Sequence, residues 1–195
     1  MNKPNLYRYM IYLNNLQFTP ADAEFILKKS RELTNALEII IRDCRIAHNF
    51  IELDLSLEKK ENIDKVLNSL KKISSSKEII EVKERHLSKE DAIKRAVVFF
   101  NDEKYWWSHE ALEMVWKEAS GQEKQLLNGL ILICAAFVHF QKNENNICFS
   151  ILERAMVKCL NLKDSNYYGI NINKIKIIIR EIVENKKILT FKIET

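Results

Sequence analysis

Residues 99–116 contain the side chains of this chain that are best suited to chemistry. They include all three tryptophans of the protein, together with a histidine and two glutamates in the pattern His109-Glu110-x-x-Glu113. On a helix, side chains four residues apart lie on one face, so His109 and Glu113 can present an imidazole and a carboxylate to the same ligand. Both groups bind divalent metals. The spacing therefore predicts a metal site or a buried polar cluster.

The periodicity of the same segment predicts which of its side chains are buried. At 100° per residue, five of them fall within one sector roughly 100° wide, which we expect to face the core. They are Tyr105, His109, Leu112, Glu113 and Trp116. Because burial of unpaired polar groups is costly, His109 and Glu113 must be satisfied by each other, by a neighbouring helix, by water or by a metal.

The catalytic interpretation of this pattern is a metal-dependent hydrolase. His109 and Glu113 would be ligands of Zn, Mn or Fe, and Glu110 would be the catalytic base or a third ligand. A catalytic site usually has three protein ligands, and His139 is a further candidate.

The next helix limits what can join this site. If the chain turns at residues 120–121 and runs back antiparallel, His139 lies about 10 Å beyond the level of His109 along the axis, which argues against shared ligation. Asn128 falls opposite Glu113, where we expect the two side chains to form a hydrogen bond.

A non-catalytic alternative assigns the same region to an aromatic-lined polar pocket. The pocket would hold a small-molecule ligand or stabilise the helical bundle. Its predicted residues are Tyr105, Trp106, His109, Glu113, Trp116, Asn128 and His139. The residues leave this alternative and the hydrolase open.

The second half of the chain carries three motifs in order. They are Phe100-Asn101-x-x-x-Tyr105-Trp106-x-x-His109-Glu110-x-Leu112-Glu113-x-x-Trp116, then Gly129-Leu130-Ile131, then Tyr168-Gly169-Ile170. In this order they resemble the bacterial and archaeal domain of unknown function 309 family. The resemblance implies a helical domain, which the family label describes as a predicted metal-dependent hydrolase. The chain departs from the family pattern at Glu103, Asn128 and Asn171, where Gly, Gln and Asp are usual.

These motifs need helices to position them, and helical periodicity runs through most of the second half. A capping signal at Ser88 precedes predicted helices at 89–100, 104–119, 122–141, 145–162 and 172–185, and residues 188–193 alternate like a short edge strand. The first half predicts strands at 7–14, 37–43, 48–57 and 78–83, with helices at 20–34 and 58–73. We therefore predict an α+β protein with a ferredoxin-like βαββαβ domain at 1–86 and an all-α helical-bundle domain at 87–195.

The predicted sheet also bears on partners. Alternation along strand 48–57 places Glu52 and Asp54 on the open face of the sheet, where phosphate would have to approach, so we expect no nucleic-acid binding there. An RNA-associated protein stays a third hypothesis. The same face gains Met10, Tyr12, Ile40 and Phe50, and we expect it to pack on the helical domain or to form a two-fold homodimer.

Composition sets the remaining limits. The 195 residues include only 3 Gly, too scattered for a phosphate-binding loop, and the net charge of +4 indicates no polybasic patch. The four cysteines, Cys44, Cys134, Cys148 and Cys159, form no C-x-x-C pair, and the first residues carry no apolar leader. The longest apolar stretch, 126–140, is shorter than the roughly 20 residues of a bilayer span. We expect a cytoplasmic protein without a membrane partner.

Overall fold

A computed structural model describes residues 6–83, 86–160 and 166–194, with only the backbone described at 159 and 160. The side chain of Cys159 and the predicted helix end at 162 lie outside the described residues. The chain forms two compact units. The first contains residues 1–85 with 141–143, and the second contains residues 86–140 and 144–195.

The first unit is an antiparallel four-stranded sheet with two helices. Its elements are β1 (Tyr7–Asn14), α1 (Ala23–Leu33), β2 (Ile39–Ile46), β3 (Phe50–Leu57), α2 (Ile63–Leu70) and β4 (Ser76–Glu81). Single 3-10 turns at Pro20–Asp22 and Lys60–Asn62 lead into the two helices. The strand order is β2-β3-β1-β4, which is the ferredoxin-like arrangement predicted from the sequence. The α+β fold class is confirmed.

Alternation along β3 divides the side chains of this unit between two faces. Ile51, Leu53 and Leu55 are fully buried in one core cluster with Ile26 of α1 and Val66 of α2. Covering this face with helices removes apolar surface from water, which is the main force that holds the unit together.

The opposite face of the sheet is lined by charged and apolar side chains. Met10, Tyr12 and Phe50 are buried there, whereas Ile40 is 52% exposed. That this face forms a two-fold dimer stays a prediction.

The prediction that β2 ends at Asp43 is wrong by three residues. The sequence prediction leaves Arg45 in the short link between the second and third strands. In the structure Arg45 pairs across the ladder with Glu52, and their side chains form a buried ion pair. Since each charge satisfies the other, β2 continues to Ile46, and Ala47 closes the turn by donating to the Phe50 carbonyl.

The second unit is built mainly from helices. They are α3 (Lys89–Asn101), α4 (Tyr105–Glu118), α5 (Gly121–Phe140), α6 (Asn145–Leu160) and α7 (Ile172–Asn185), with a two-residue hairpin of β5 (Asn166–Tyr167) and β6 (Ile170–Asn171). Ser88 caps α3 as predicted, accepting a hydrogen bond from the Asp91 N–H at 3.2 Å. The turn between α3 and α4 places Glu103 at φ +59°, a left-handed conformation that favours glycine.

The predicted strand at 188–193 is not formed. These residues have no regular secondary structure, and Asn101 takes the place of a strand partner. Its side-chain amide donates to the Ile193 carbonyl at 2.9 Å and accepts from the Ile193 N–H at 2.7 Å. Phe191 packs its ring 5.1 Å from that of Phe100, so the segment closes one side of the helical core.

α5 is long and apolar enough to cross a bilayer by length and composition alone. Its most apolar window is 44% buried within the structure, and one such helix is weak evidence for a membrane span. The described residues therefore contain no clear membrane span.

Candidate metal centre

His109, Glu110 and Glu113 form a cluster on α4. His109 Nδ1 lies 3.3 Å from Glu110 Oε1 and 3.9 Å from Glu113 Oε2, and one ligand atom from each residue lies within 4.8 Å of the others. Tetrahedral zinc with bonds of about 2.0–2.2 Å holds its ligands roughly 3.4 Å apart. Small side-chain rotations would therefore bring the three atoms to ligand distance.

The three side chains are accessible to solvent to different degrees. His109 is 27% exposed, Glu113 is 36% exposed and Glu110 is 44% exposed. All three donors come from one side of one helix, and among the described residues no further His, Cys, Asp or Glu joins the group. Three protein ligands with an open position are typical of catalytic rather than structural zinc sites.

The buried face of α4 differs from the predicted one. Its buried residues are Tyr105, Ser108, Ala111, Leu112 and Val115. This face is rotated by about 80° from the predicted sector at 100° per residue. The expectation of burial is wrong for His109, Glu113 and Trp116, which lie at its flank.

Small residues explain this rotation. Ser108 and Ala111 are both buried on α4, and Ser108 Oγ donates a hydrogen bond of 2.8 Å to the Ala96 carbonyl of α3. Because these small residues lie on the buried face of α4, the histidine and the glutamates lie at the edge of the core.

α4 also carries buried polar atoms that have no partner. Among the described residues, the buried side-chain atoms without a hydrogen bond are the Tyr105 hydroxyl, His109 Nδ1 and Trp116 Nε1. Burial of Tyr105 also raises the pKa of its hydroxyl. Native structures contain few such atoms, so their concentration on one helix indicates a helix that is not optimised for stability alone.

α4 lies within a segment of the chain that matches a known protein family. Residues 93–150 match the family Domain of unknown function (DUF309). The match confirms the resemblance for most of α3, for α4 and α5, and for the start of α6. The Tyr168-Gly169-Ile170 motif and the ferredoxin-like unit lie outside the matched residues. No curated protein matches the chain.

Two predicted members of the site lie apart from the cluster in the DUF309 segment. His139 Nδ1 and Glu144 Oε2 lie within hydrogen-bond distance at the end of α5, and His139 is absent from the metal-type cluster of the described residues. Asn128 is half-buried, and among the described residues no hydrogen bond joins it to Glu113.

The three tryptophans of the DUF309 segment lie in two different places. Trp106 packs its ring edge-on against Trp107 at 4.9 Å, and Trp107 lies 5.9 Å from Phe99. Trp116 instead lies under Lys124, whose Nζ is 4.4 Å from the ring centroid. The tryptophans predicted to line one pocket therefore lie at two separate places on α4.

A small apolar cavity lies in the core of the second unit. It has room for about 10 Å³, and Ser108, Leu112, Cys134 and Phe191 are among its lining residues. None of the clustered His and Glu side chains lines it. Its volume is close to that of one water molecule, so it is too small for the predicted ligand. Burial raises the pKa of Cys134 to about 12, although the Ser108 contact opposes this, so the thiol is not a nucleophile.

Two lysines near the cluster were missed from the sequence. Lys117 Nζ lies 3.9 Å from Glu113 Oε1, and the i,i+4 spacing on one helix was the signal that could have found it. Lys124 reaches Trp116 across the turn between α4 and α5. Only the three-dimensional turn brings Lys124 to this place, so the sequence offered no comparable signal for it.

Proposed function

We propose that the DUF309 segment binds one divalent metal ion, Zn, Mn or Fe, through His109, Glu110 and Glu113. The observation that carries the proposal is the grouping of three donor atoms within 4.8 Å of one another on one side of α4, in partly exposed side chains. Exposed carboxylates often gather without binding a metal. The histidine sets this group apart, because its Nδ1 is buried, faces both carboxylates and has no hydrogen bond among the described residues.

The donor set fits the proposed ions. One imidazole nitrogen and two carboxylate oxygens suit Zn, Mn and Fe, whereas a soft copper(I) site would require thiolate or thioether ligands. Cys134 and Cys148 are buried in the core, away from any such role. A divalent ion bound at this place would polarise a substrate oxygen or lower the pKa of a bound water.

Metal titration tests this proposal directly. Calorimetric titration of the metal-free chain with Zn, Mn or Fe(II) is expected to show one site. His109→Ala and Glu113→Gln should each weaken binding at least tenfold, because each removes one of three ligands. Glu118→Gln, which changes an exposed glutamate on the same helix, is the matched control and should leave affinity unchanged.

Two results would contradict metal binding at this place. One is the absence of a stoichiometric site for all three ions. The other is an affinity of His109→Ala and Glu113→Gln equal to that of the control. Circular dichroism of each variant confirms that the helices are retained, so a lost site cannot be ascribed to unfolding.

Hydrolysis is a second candidate function, and the position of Glu110 favours it. Glu110 is the most exposed of the three residues, and its Oε1 is 3.3 Å from His109 Nδ1, so it can be a ligand or hold a water molecule beside the ion. Glu110→Gln separates these roles. A base is identified by retained metal and lost hydrolysis of a chromogenic phosphate ester, and a ligand by lost metal. Normal metal content with normal hydrolysis would exclude Glu110 from both roles.

A further inference from the structure

Two lysine ammonium groups lie towards the C-terminal end of α4, one beside Glu113 and the other over Trp116. Lys117 Nζ stands 3.9 Å from Glu113 Oε1. Lys124 Nζ stands 4.4 Å from the ring centroid of Trp116, which follows Glu113 by three residues and so lies on the adjacent turn of the same helix face. The cluster is therefore bordered by positive charge on the side where α4 approaches its end.

The charges of the neighbouring side chains would not balance the charge of a bound metal ion. Glu110 and Glu113 contribute two negative charges, and Lys117 and Lys124 contribute two positive ones. A histidine that binds a metal is neutral. The protein groups thus cancel, and a divalent ion would give the centre a charge of +2. A centre with this positive net charge would attract anions to its open coordination positions.

We propose that the metal-loaded centre binds a phosphate group, with Lys117 and Lys124 as its counter-charges. The inference rests on the proposed metal site. At pH 7 a phosphate monoester carries a charge of about −1.5 to −2, close to the charge needed to balance the centre, whereas a carboxylate supplies only −1. The ligand is a phosphate dianion, either free or as a monoester.

Lys124 is suited to this role by its surroundings. It takes part in none of the ion pairs found in the described parts of the chain, whereas its neighbour Glu123 is bound by Lys89 and Tyr167. The Trp116 ring holds its ammonium group by a cation–π contact, which limits the conformations lost when an anion binds.

The test uses the full chain loaded with one zinc ion and freed of excess metal. Inorganic phosphate, glycerol phosphate and acetate are titrated into it by calorimetry. We expect phosphate to bind at least tenfold more tightly to the loaded chain than to the metal-free chain, and acetate to bind more weakly than phosphate. Comparable or tighter binding of glycerol phosphate identifies a monoester site, and its failure to bind identifies a site for free phosphate.

Variants assign the counter-charges. Lys117→Gln combined with Lys124→Gln should weaken phosphate binding about tenfold while the zinc content, measured by elemental analysis, stays at one per chain. Lys158→Gln on α6 is the matched control, because Lys158 is an exposed lysine outside this site. It should bind phosphate like the unmodified chain.

The outcomes separate this inference from the proposed function. Stoichiometric zinc with no gain in phosphate affinity overturns the phosphate site and leaves the metal site intact. Equal phosphate affinity in the double variant and the control overturns the role of the two lysines. Absence of a stoichiometric metal overturns the metal site, and the phosphate site with it.

Discussion

On the sheet of the first unit, Glu52 is 2% exposed, accepts a hydrogen bond of 2.5 Å from the Tyr12 hydroxyl and pairs with Arg45. On α4 of the second unit, Glu113 is 36% exposed, and its carboxylate oxygens lie 3.9 Å from His109 Nδ1 and 3.9 Å from Lys117 Nζ. Both carboxylates belong to clusters of ionisable groups. The first cluster is buried and closely paired, and the second is accessible and loosely paired.

The difference teaches how the two clusters are used. The sheet cluster continues through Asp54, which accepts two hydrogen bonds from Arg8 at 2.9 and 2.6 Å. Burial without such pairing would be very costly, so these charges are committed to one another. The α4 cluster keeps His109 Nδ1 without a hydrogen bond among the described residues. Groups that are not committed to a protein partner are the ones that can bind a ligand.

The largest effect expected from this comparison follows removal of one buried charge. Glu52→Gln should destabilise the chain by about 3–5 kcal/mol, because it leaves the buried Arg45 guanidinium without its main counter-charge. Denaturant unfolding followed by circular dichroism measures the loss. Glu32→Gln removes an exposed ion pair with Lys29 at 3.7 Å and should change stability by less than about 1 kcal/mol.

A replacement of both partners sharpens this prediction. Arg45→Met combined with Glu52→Leu removes both charges together, so it should destabilise the chain less than Glu52→Gln alone. A loss below about 1 kcal/mol for the single variant would show that the sheet charges are not committed to one another, and the contrast with α4 would fail.

Two buried tyrosines provide a matched pair for the next effect. Tyr12 is 1% exposed and donates to Glu52, whereas Tyr105 is 0% exposed and has no partner among the described residues. Tyr12→Phe should cost about 1.5–3 kcal/mol, the usual value of a hydrogen bond to a charged group. Tyr105→Phe should be neutral or stabilising, because it removes a buried hydroxyl that is not satisfied.

Thermal and denaturant unfolding of both variants measure this difference. Equal losses in the two variants would mean that Tyr105 is satisfied in solution. Only two of the three buried polar atoms of α4 would then lack a hydrogen bond, and the contrast between α4 and the sheet would be weaker.

The sequence predicted the first unit well because alternation is a strong signal. The residues of β3 separate into an apolar and a polar set, and the structure places them on opposite faces as expected. The end of β2 was not predictable in the same way. Arg45 belongs in a strand only because Glu52 lies opposite it, and cross-strand pairing is not visible in a local pattern.

The residues of the α4 cluster were predicted to lie together, but their exposure was not predicted. The spacing of His109 and Glu113 correctly grouped them, since i and i+4 side chains meet on any helix. Their exposure depended on the neighbouring helix. Aromatic residues suggested the buried side, whereas close packing through Ser108 and Ala111 determined it.

Substitutions of the neighbouring residues Ser108 and His109 should have opposite effects on stability and metal affinity. The changes in stability should be about 1 kcal/mol or less. Ser108→Ala removes a buried hydrogen bond to the Ala96 carbonyl and should lower stability by about 1 kcal/mol while metal affinity is retained. His109→Ala should change stability by less than about 0.5 kcal/mol, because the side chain is partly exposed and its Nδ1 has no hydrogen bond among the described residues, while metal affinity is lost. A large stability loss in His109→Ala with unchanged metal affinity would make the cluster structural.

A further small effect concerns Glu123, which is partly exposed like Glu113 but well paired like Glu52. Lys89 lies 2.6 Å from its carboxylate and Tyr167 donates to it at 2.9 Å. The Lys89 hydrogen bond is the main cause that holds the pKa of Glu123 below its ordinary value. Its stabilisation is therefore present above the pKa of the unfolded chain and is lost as the pH falls through the lower, folded value.

Glu123→Gln separates pairing from exposure as the basis of the comparison. At pH 7 it should lower stability by less than about 1 kcal/mol, the range of exposed ion pairs. The difference from the unmodified chain should shrink as the pH falls below the ordinary range of glutamate, because both chains then lack the charge. Unfolding curves at a series of pH values measure this. A difference that persists unchanged in acid would mean that Glu123 stabilises the second unit by packing, so pairing alone would not distinguish structural from binding carboxylates.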